Sequence, residues 1–185
     1  EISRKGGNRI FAPTPPLESL RTILSMAATP DFWMSKAELA ITEGDDRVQI
    51  FVIDISKAYF NAKPKDAHPV YVEFLPEDPD FGIGFCGRLN VFMYGTRAAA
   101  DGWHCECSDT LEETGFAMGQ STACVFARKE RRIVSSVHGD DFTTVGTKRD
   151  LDWFEAQLAI KYELKGTRIG PGAHDKKEVR ILNRI

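Results

Sequence analysis

The chain has 185 residues, of which 42% are hydrophobic and 28% charged, proportions that fit one globular domain with a sizeable apolar core rather than a disordered or fibrous chain. Its formal net charge is −3 and its pI about 5.9, whereas a free-standing nucleic-acid binder typically has a basic face, so we expect this chain alone to bind nucleic acid weakly. No signal peptide, transmembrane run, repeat or low-complexity tract is visible, and we expect no membrane partner.

The predicted elements alternate between helices and strands in an α+β pattern. Residues 15–28 are predicted to form the first helix, because two prolines suit a first turn and apolar residues recur on one face. Further helices are predicted from Arg97 to Thr114 and from Lys148 to Lys161, and strands at 48–54, 70–75, 124–128, 133–138 and 142–146. Thr147 and Asp150 have capping-box spacing at the start of the last of these helices. Residues 166–172, which contain three glycines and a proline, are expected to form a flexible loop.

Three carboxylates lie at predicted strand ends. Asp140 and Asp141 occupy the turn between two short strands, and Asp54 ends an almost continuous apolar run that indicates a central strand. Carboxylates held close together raise one another's pKa unless a cation lies between them. Two Mg²⁺ ions about 3.5–4 Å apart take such ligands and serve phosphoryl transfer. The acids suggest a divalent-metal site, with ordinary turn chemistry as the alternative for the adjacent pair.

Several segments resemble the reverse transcriptases of copia-type long-terminal-repeat retrotransposons. Residues 54–61 are similar to the first catalytic motif, an Asp followed four and five residues later by Ala and an aromatic. Residues 89–103 resemble the Leu-Tyr-Gly…Ala…Trp segment, and residues 121–126 the strand that follows it. The hairpin with the paired acids corresponds to the aromatic-x-Asp-Asp motif. The resemblance extends from about Phe11 to Tyr162.

The resemblance implies a two-metal RNA-directed DNA polymerase. Asp54 and Asp140 would be the principal ligands of two Mg²⁺ or Mn²⁺ ions, with Asp141 in support. Ala58 and Tyr59 would belong to the nucleotide site, where the tyrosine ring would exclude a ribose 2′-hydroxyl; the alternative for this ring is a core aromatic. The implied partners are an RNA template, a DNA primer, deoxynucleoside triphosphates and the rest of the Pol polyprotein.

Other positions of the resemblance match less closely. Gly95 would let backbone approach nucleotide and template, with an ordinary turn as the alternative. Ala98 to Ala100 replace an expected Gln-Ala-Pro, so Arg97 is a candidate template or phosphate contact, with a solvated surface residue as the alternative. His138 and Gly139 stand where an aromatic and a small or branched apolar residue are usual, and the imidazole is a candidate to stack near the primer end.

The implied fold is a palm-like antiparallel sheet with helices packed on one face and the other face open to a duplex. We expect residues 1–47 to be a partial fingers-like segment and residues 48–185 the palm-like catalytic domain, ending before a thumb and a ribonuclease H domain. The alternative function is an inactive relic of such an element, retained as a structural or weak nucleic-acid-binding module. The changes at His138 and at residues 98–100 favour the relic, whereas the intact acids and Tyr59 favour the enzyme.

Basic residues and cysteines are expected to serve the scaffold. The cluster from Arg128 to Arg132 lies at a predicted hairpin turn, where solubility and protection of a sheet edge explain it better than contact with nucleic acid. The four cysteines do not form Cys-x-x-Cys pairs, so free thiols are favoured over a structural zinc site.

Overall fold

The computed structural model describes residues 14–41, 46–65, 67–96 and 98–181. The α-helices are Leu17–Ala28 (α1), Pro30–Trp33 (α2), Lys36–Ile41 (α3), Ala99–Glu113 (α4) and Lys148–Ala159 (α5). The strands are Val48–Ile55 (β1), Tyr71–Val72 (β2), Gly87–Arg88 (β3), Ala117–Met118 (β4), Val125–Arg128 (β5), Ile133–His138 (β6), Asp141–Thr147 (β7) and Leu164–Ile169 (β8). Short 3₁₀ helices cover Ala58–Asn61 and Lys129–Arg131.

The main sheet has the strand order β4-β5-β6-β7-β1-β8, and every neighbouring pair in it is antiparallel. The apolar strand β1 lies between β7 and β8, which agrees with its predicted central position. Strands β2 and β3 form a separate two-stranded sheet. The α+β class and the palm-like antiparallel sheet are therefore confirmed.

Helices pack on both faces of the main sheet. Phe51 and Ile53 of β1 share the larger core with apolar residues of α4 and α5, among them Leu111 and Phe154. Because side chains alternate along a strand, Ile50 points to the opposite face, where it packs in a smaller cluster with Ile23 of α1. Helices α4 and α5 thus back one face as expected, and the structure adds that α1 covers part of the face expected to be open.

Most of the predicted helices and strands are confirmed to within two residues. The predicted cap of α5 is also confirmed, because the hydroxyl of Thr147, the residue before the helix, accepts a hydrogen bond from the backbone N–H of Asp150. The strand predicted at 70–75 is wrong for its second half, because only Tyr71 and Val72 pair, and they do so outside the main sheet.

The loop predicted at 166–172 is also wrong for its first half, which belongs to β8 and pairs with β1. A Cβ atom on Gly166 would lie 2.3 Å from Cε2 of the Phe51 ring, so the glycine makes room for a core aromatic. Arg168 covers the same ring at 4.4 Å and forms ion pairs with Asp152 and Glu155 of α5. Gly166, one of the glycines on which the loop prediction rests, therefore serves packing in a strand.

The basic cluster at residues 128–132 is engaged within the protein. The guanidinium groups of Arg128 and Arg131 lie 4.4 and 4.2 Å from the ring centre of Trp153. Arg131 also pairs with Asp150 at 2.9 Å, and Arg132 pairs with Glu38 of α3. These contacts give the cluster a packing role within the protein, which differs from the expected role in solubility and edge protection.

None of the four cysteines, all of which lie within the described residues, forms a disulfide; Cys86 and Cys105 are exposed and the other two are buried. No helix within the described residues is long and apolar enough to cross a membrane. The division of the chain into a fingers-like segment (1–47) and a palm-like domain (48–185) stays a prediction.

Candidate functional site

The three predicted acids lie at one end of the central strands. Asp54 of β1 is directly opposite Asp141 of β7 in the antiparallel register. The backbone N–H of Ile55 donates a hydrogen bond of 3.0 Å to the carbonyl oxygen of Asp140, which ties the hairpin turn to the end of β1. The sheet register therefore brings together carboxylates that are more than 80 residues apart in the chain.

Asp140 lies in a two-residue turn between β6 and β7. His138 ends β6 and pairs with Asp141 at the start of β7, leaving Gly139 and Asp140 between them. Gly139 has φ +62°, and a Cβ atom there would meet nothing within 4 Å. The left-handed backbone, and not crowding, is what favours glycine at this position.

Trp103 of α4 anchors this turn. Its indole Nε1–H donates a hydrogen bond of 2.8 Å to the carbonyl oxygen of Gly139. The ring is buried and meets Tyr162 edge-on, with the ring centres 5.3 Å apart. The resembled motif includes this tryptophan, but no role is predicted for it from the sequence. A buried indole N–H needs a hydrogen-bond acceptor, and that requirement is the signal that could have pointed to its role.

The charges at this end of the sheet repel one another. Burial raises the pKa of the Asp141 carboxyl, the negative charges of Asp140 and Asp54 raise it further, and His138 opposes the shift. This mutual effect requires the three carboxylates to lie within electrostatic reach. Among the described residues, no group of three or more His, Cys, Asp or Glu side chains is arranged to hold a metal ion.

Two tyrosines lie beside the acids. The rings of Tyr59 and Tyr94 are 4.4 Å apart between centres and tilted by 47°. Burial raises the pKa of the Tyr94 hydroxyl, with further contributions from the charges of Asp140 and Asp54. Tyr59 also packs against the larger core, which agrees with the alternative of a core aromatic, and its place in a nucleotide site stays a prediction. Tyr94 lies within the motif at residues 89–103, but the sequence alone does not predict it as a site residue.

His138 lies between two cavities that flank the turn. One, of about 200 Å³, is on the α1 side and is also lined by Leu20, Val52 and Asp141. The other, of about 220 Å³, is lined by Tyr59 and Asp140 as well. The Nδ1 atom of His138 is buried without a hydrogen-bond partner.

Three other residues are predicted to bind substrate: Ala58, Gly95 and Arg97. Ala58 is fully buried in the larger core, so its side chain has no open surface. Gly95 has φ +85° in a turn, and the space where a Cβ atom would project is open. Arg97 lies outside the described residues.

Comparison with known proteins gave one family. The family model described as reverse transcriptase (RNA-dependent DNA polymerase) matches residues 5–169, which is most of the chain. A search of curated protein sequences found no match.

Proposed function

The chain belongs to the reverse transcriptase (RNA-dependent DNA polymerase) family, and from this premise we propose that it is the palm, with part of the fingers, of a copia-type retrotransposon polymerase. It would transfer deoxynucleotidyl groups to a primer 3′-hydroxyl on an RNA template. The observation that carries the proposal is the register that sets Asp54 opposite Asp141, with Asp140 in the adjoining turn.

The three carboxylates are of the ligand type that divalent cations prefer. Carboxylate oxygens are ligands that Mg²⁺ and Mn²⁺ prefer, and the repulsion that raises the pKa of Asp141 is of the kind that a cation relieves. Asp54 and Asp140 would hold the two ions, with Asp141 in support. Such ions, when bound, would lower the pKa of the primer hydroxyl and stabilise charge on the triphosphate.

The protein's own residues would set position and selectivity. Tyr59 would lie under the incoming sugar and exclude a 2′-hydroxyl by contact, and Tyr94, 4.4 Å away, would restrict how far that ring can turn. The hydrogen bond from Trp103 to Gly139 would hold the turn that carries Asp140. Gly95, with no side chain, would allow nucleotide or template to approach the backbone.

The polymerase partners follow from the same proposal. They are an RNA template, a DNA primer and deoxynucleoside triphosphates, with the rest of a Pol polyprotein. The net charge of −3 predicts that most of the positive surface that neutralises phosphate belongs to those other parts.

Primer extension tests the proposal. The assay uses a longer polypeptide that extends this chain at both ends, an RNA template with a DNA primer, and Mg²⁺ or Mn²⁺. We expect extension that is lost in Asp54→Asn and kept in Asp109→Asn, which alters an exposed carboxylate on α4. Extension that Asp54→Asn leaves unchanged would contradict the assignment of the acids.

An inactive relic is the second candidate function. It is favoured by the buried, unpartnered Nδ1 of His138 at the position where an aromatic is usual. Under this alternative the longer polypeptide folds, as judged by cooperative thermal unfolding, but extends no primer with either metal.

A further inference from the structure

A hairpin outside the main sheet exposes large apolar side chains. Residues 71–88, named here the apolar hairpin, begin with β2 and end with β3, and a series of turns connects the two. Leu75 is 71% exposed, Ile83 59% and Phe85 69%, and Tyr71 and Phe81 are also exposed. Several large apolar side chains so close along one exposed segment are typical of an interaction site.

The apolar hairpin also carries a net negative charge. It contains Glu73, Glu77, Asp78 and Asp80, and its one basic residue is Arg88 at the base. Such a surface repels the phosphates of nucleic acid. Its natural complement is an apolar protein surface with a basic rim.

The same chain has a surface of that description. A groove of about 560 Å³ lies between the C-terminal part of α1 and the β1–β8 edge of the sheet, with Leu24, Leu39, Ile50 and Ile169 among its apolar lining. Arg47, Lys176 and Lys177 also line it. We name it the basic-rimmed groove.

The basic-rimmed groove also contains an unsatisfied acceptor. Gln49 is 6% exposed and lines the groove, and its Oε1 atom is buried without a hydrogen-bond partner. Its Nε2 atom donates to Asp175, which fixes the orientation of the amide.

We propose that the apolar hairpin of one copy of this chain docks into the basic-rimmed groove of a second copy. The two surfaces match in apolar character and are opposite in charge. Because they are different parts of the chain, the contact is head-to-tail, and each added copy leaves one hairpin and one groove open. The chain is therefore expected to form dimers and longer oligomers as its concentration rises.

Sedimentation velocity over a concentration series tests this association. The hairpin variant Ile83→Ser/Phe85→Ser removes exposed apolar contacts, and the groove variant Lys176→Glu sets a negative charge against the acidic hairpin, so each should weaken association by about tenfold or more. Lys177 is left unchanged because its ammonium group donates hydrogen bonds to the carbonyl oxygens of Gly170 and Gly172 beside the groove. The matched controls, Ile160→Ser and Lys63→Glu, change exposed residues elsewhere and should associate like the original chain. Circular dichroism confirms that each variant is folded.

Mixing the two defective variants separates a head-to-tail contact from others. The hairpin variant keeps an intact groove and the groove variant an intact hairpin, so an equimolar mixture should form dimers and nothing larger. A chain that stays monomeric at every concentration, or a mixture that does not associate, would overturn the proposal. Association that both controls weaken as much as the designed variants would also overturn it, because the contact would then lie elsewhere.

Discussion

Replacing Gly166 by alanine tests how β8 packs on the core. The new Cβ atom would lie 2.3 Å from Cε2 and 2.7 Å from Cζ of Phe51, a ring that is 1% exposed. The ring cannot move freely, because α5 packs on its face of the sheet and Arg168 covers it. Overpacking a core costs about 1–3 kcal/mol. For a chain of this length that corresponds to a fall in Tm of roughly 2–12 °C.

A double-mutant cycle followed by thermal denaturation measures the effect. Phe51→Leu removes the atoms that the new methyl group meets, so the cost of Gly166→Ala should largely vanish in that background. Lys165→Ala, at an exposed neighbouring position, is the control and should leave Tm almost unchanged. If Gly166→Ala is as neutral as the control, residues 164–169 do not pack as a strand against Phe51 and the reasoning is refuted.

Three further changes act at the site. Trp103→Phe removes the hydrogen bond to Gly139, so unfolding should be easier by about 0.5–1.5 kcal/mol in denaturant titrations, and primer extension should fall. Asp141→Asn should raise the Tm of the divalent-free protein at pH 7. The pKa of the Asp141 carboxyl is raised in the folded protein, so its ionised form destabilises the folded state, and the neutral amide removes that cost. An unchanged or lower Tm would contradict this. Tyr59→Ala should weaken discrimination against ribonucleotides by roughly tenfold or more in single-nucleotide incorporation, and unchanged selectivity would remove Tyr59 from the sugar site.

Strong local patterns predicted much of the fold. The apolar run of β1 indicated a central strand, and the spacing of Thr147 and Asp150 marked the start of α5. What the patterns missed depends on distant contacts. Gly166 and Arg168 look like loop residues until the Phe51 ring is placed between them and α5.

The candidate site likewise has residues that local patterns predict and residues whose roles depend on distant contacts. Asp54, Asp140 and Asp141 could be grouped from their motifs, because strand ends and a hairpin turn are local features that an antiparallel register joins. The anchoring role of Trp103 could not be read from the sequence, since it depends on how α4 packs beneath the turn. The neighbourhood of Tyr94 likewise results from a loop that folds back onto the 3₁₀ helix after β1.

Iron-directed cleavage is the measurement that tests the proposed metal centre most directly. Fe²⁺ substituted for Mg²⁺ in the presence of a deoxynucleoside triphosphate, with ascorbate and peroxide, produces radicals that cut backbone near the ion. The account predicts cuts at the end of β1 beside Asp54 and in the turn at Asp140, lost in Asp54→Asn and kept in Asp109→Asn. Cuts at other positions, or a pattern that Asp54→Asn leaves intact, would contradict it.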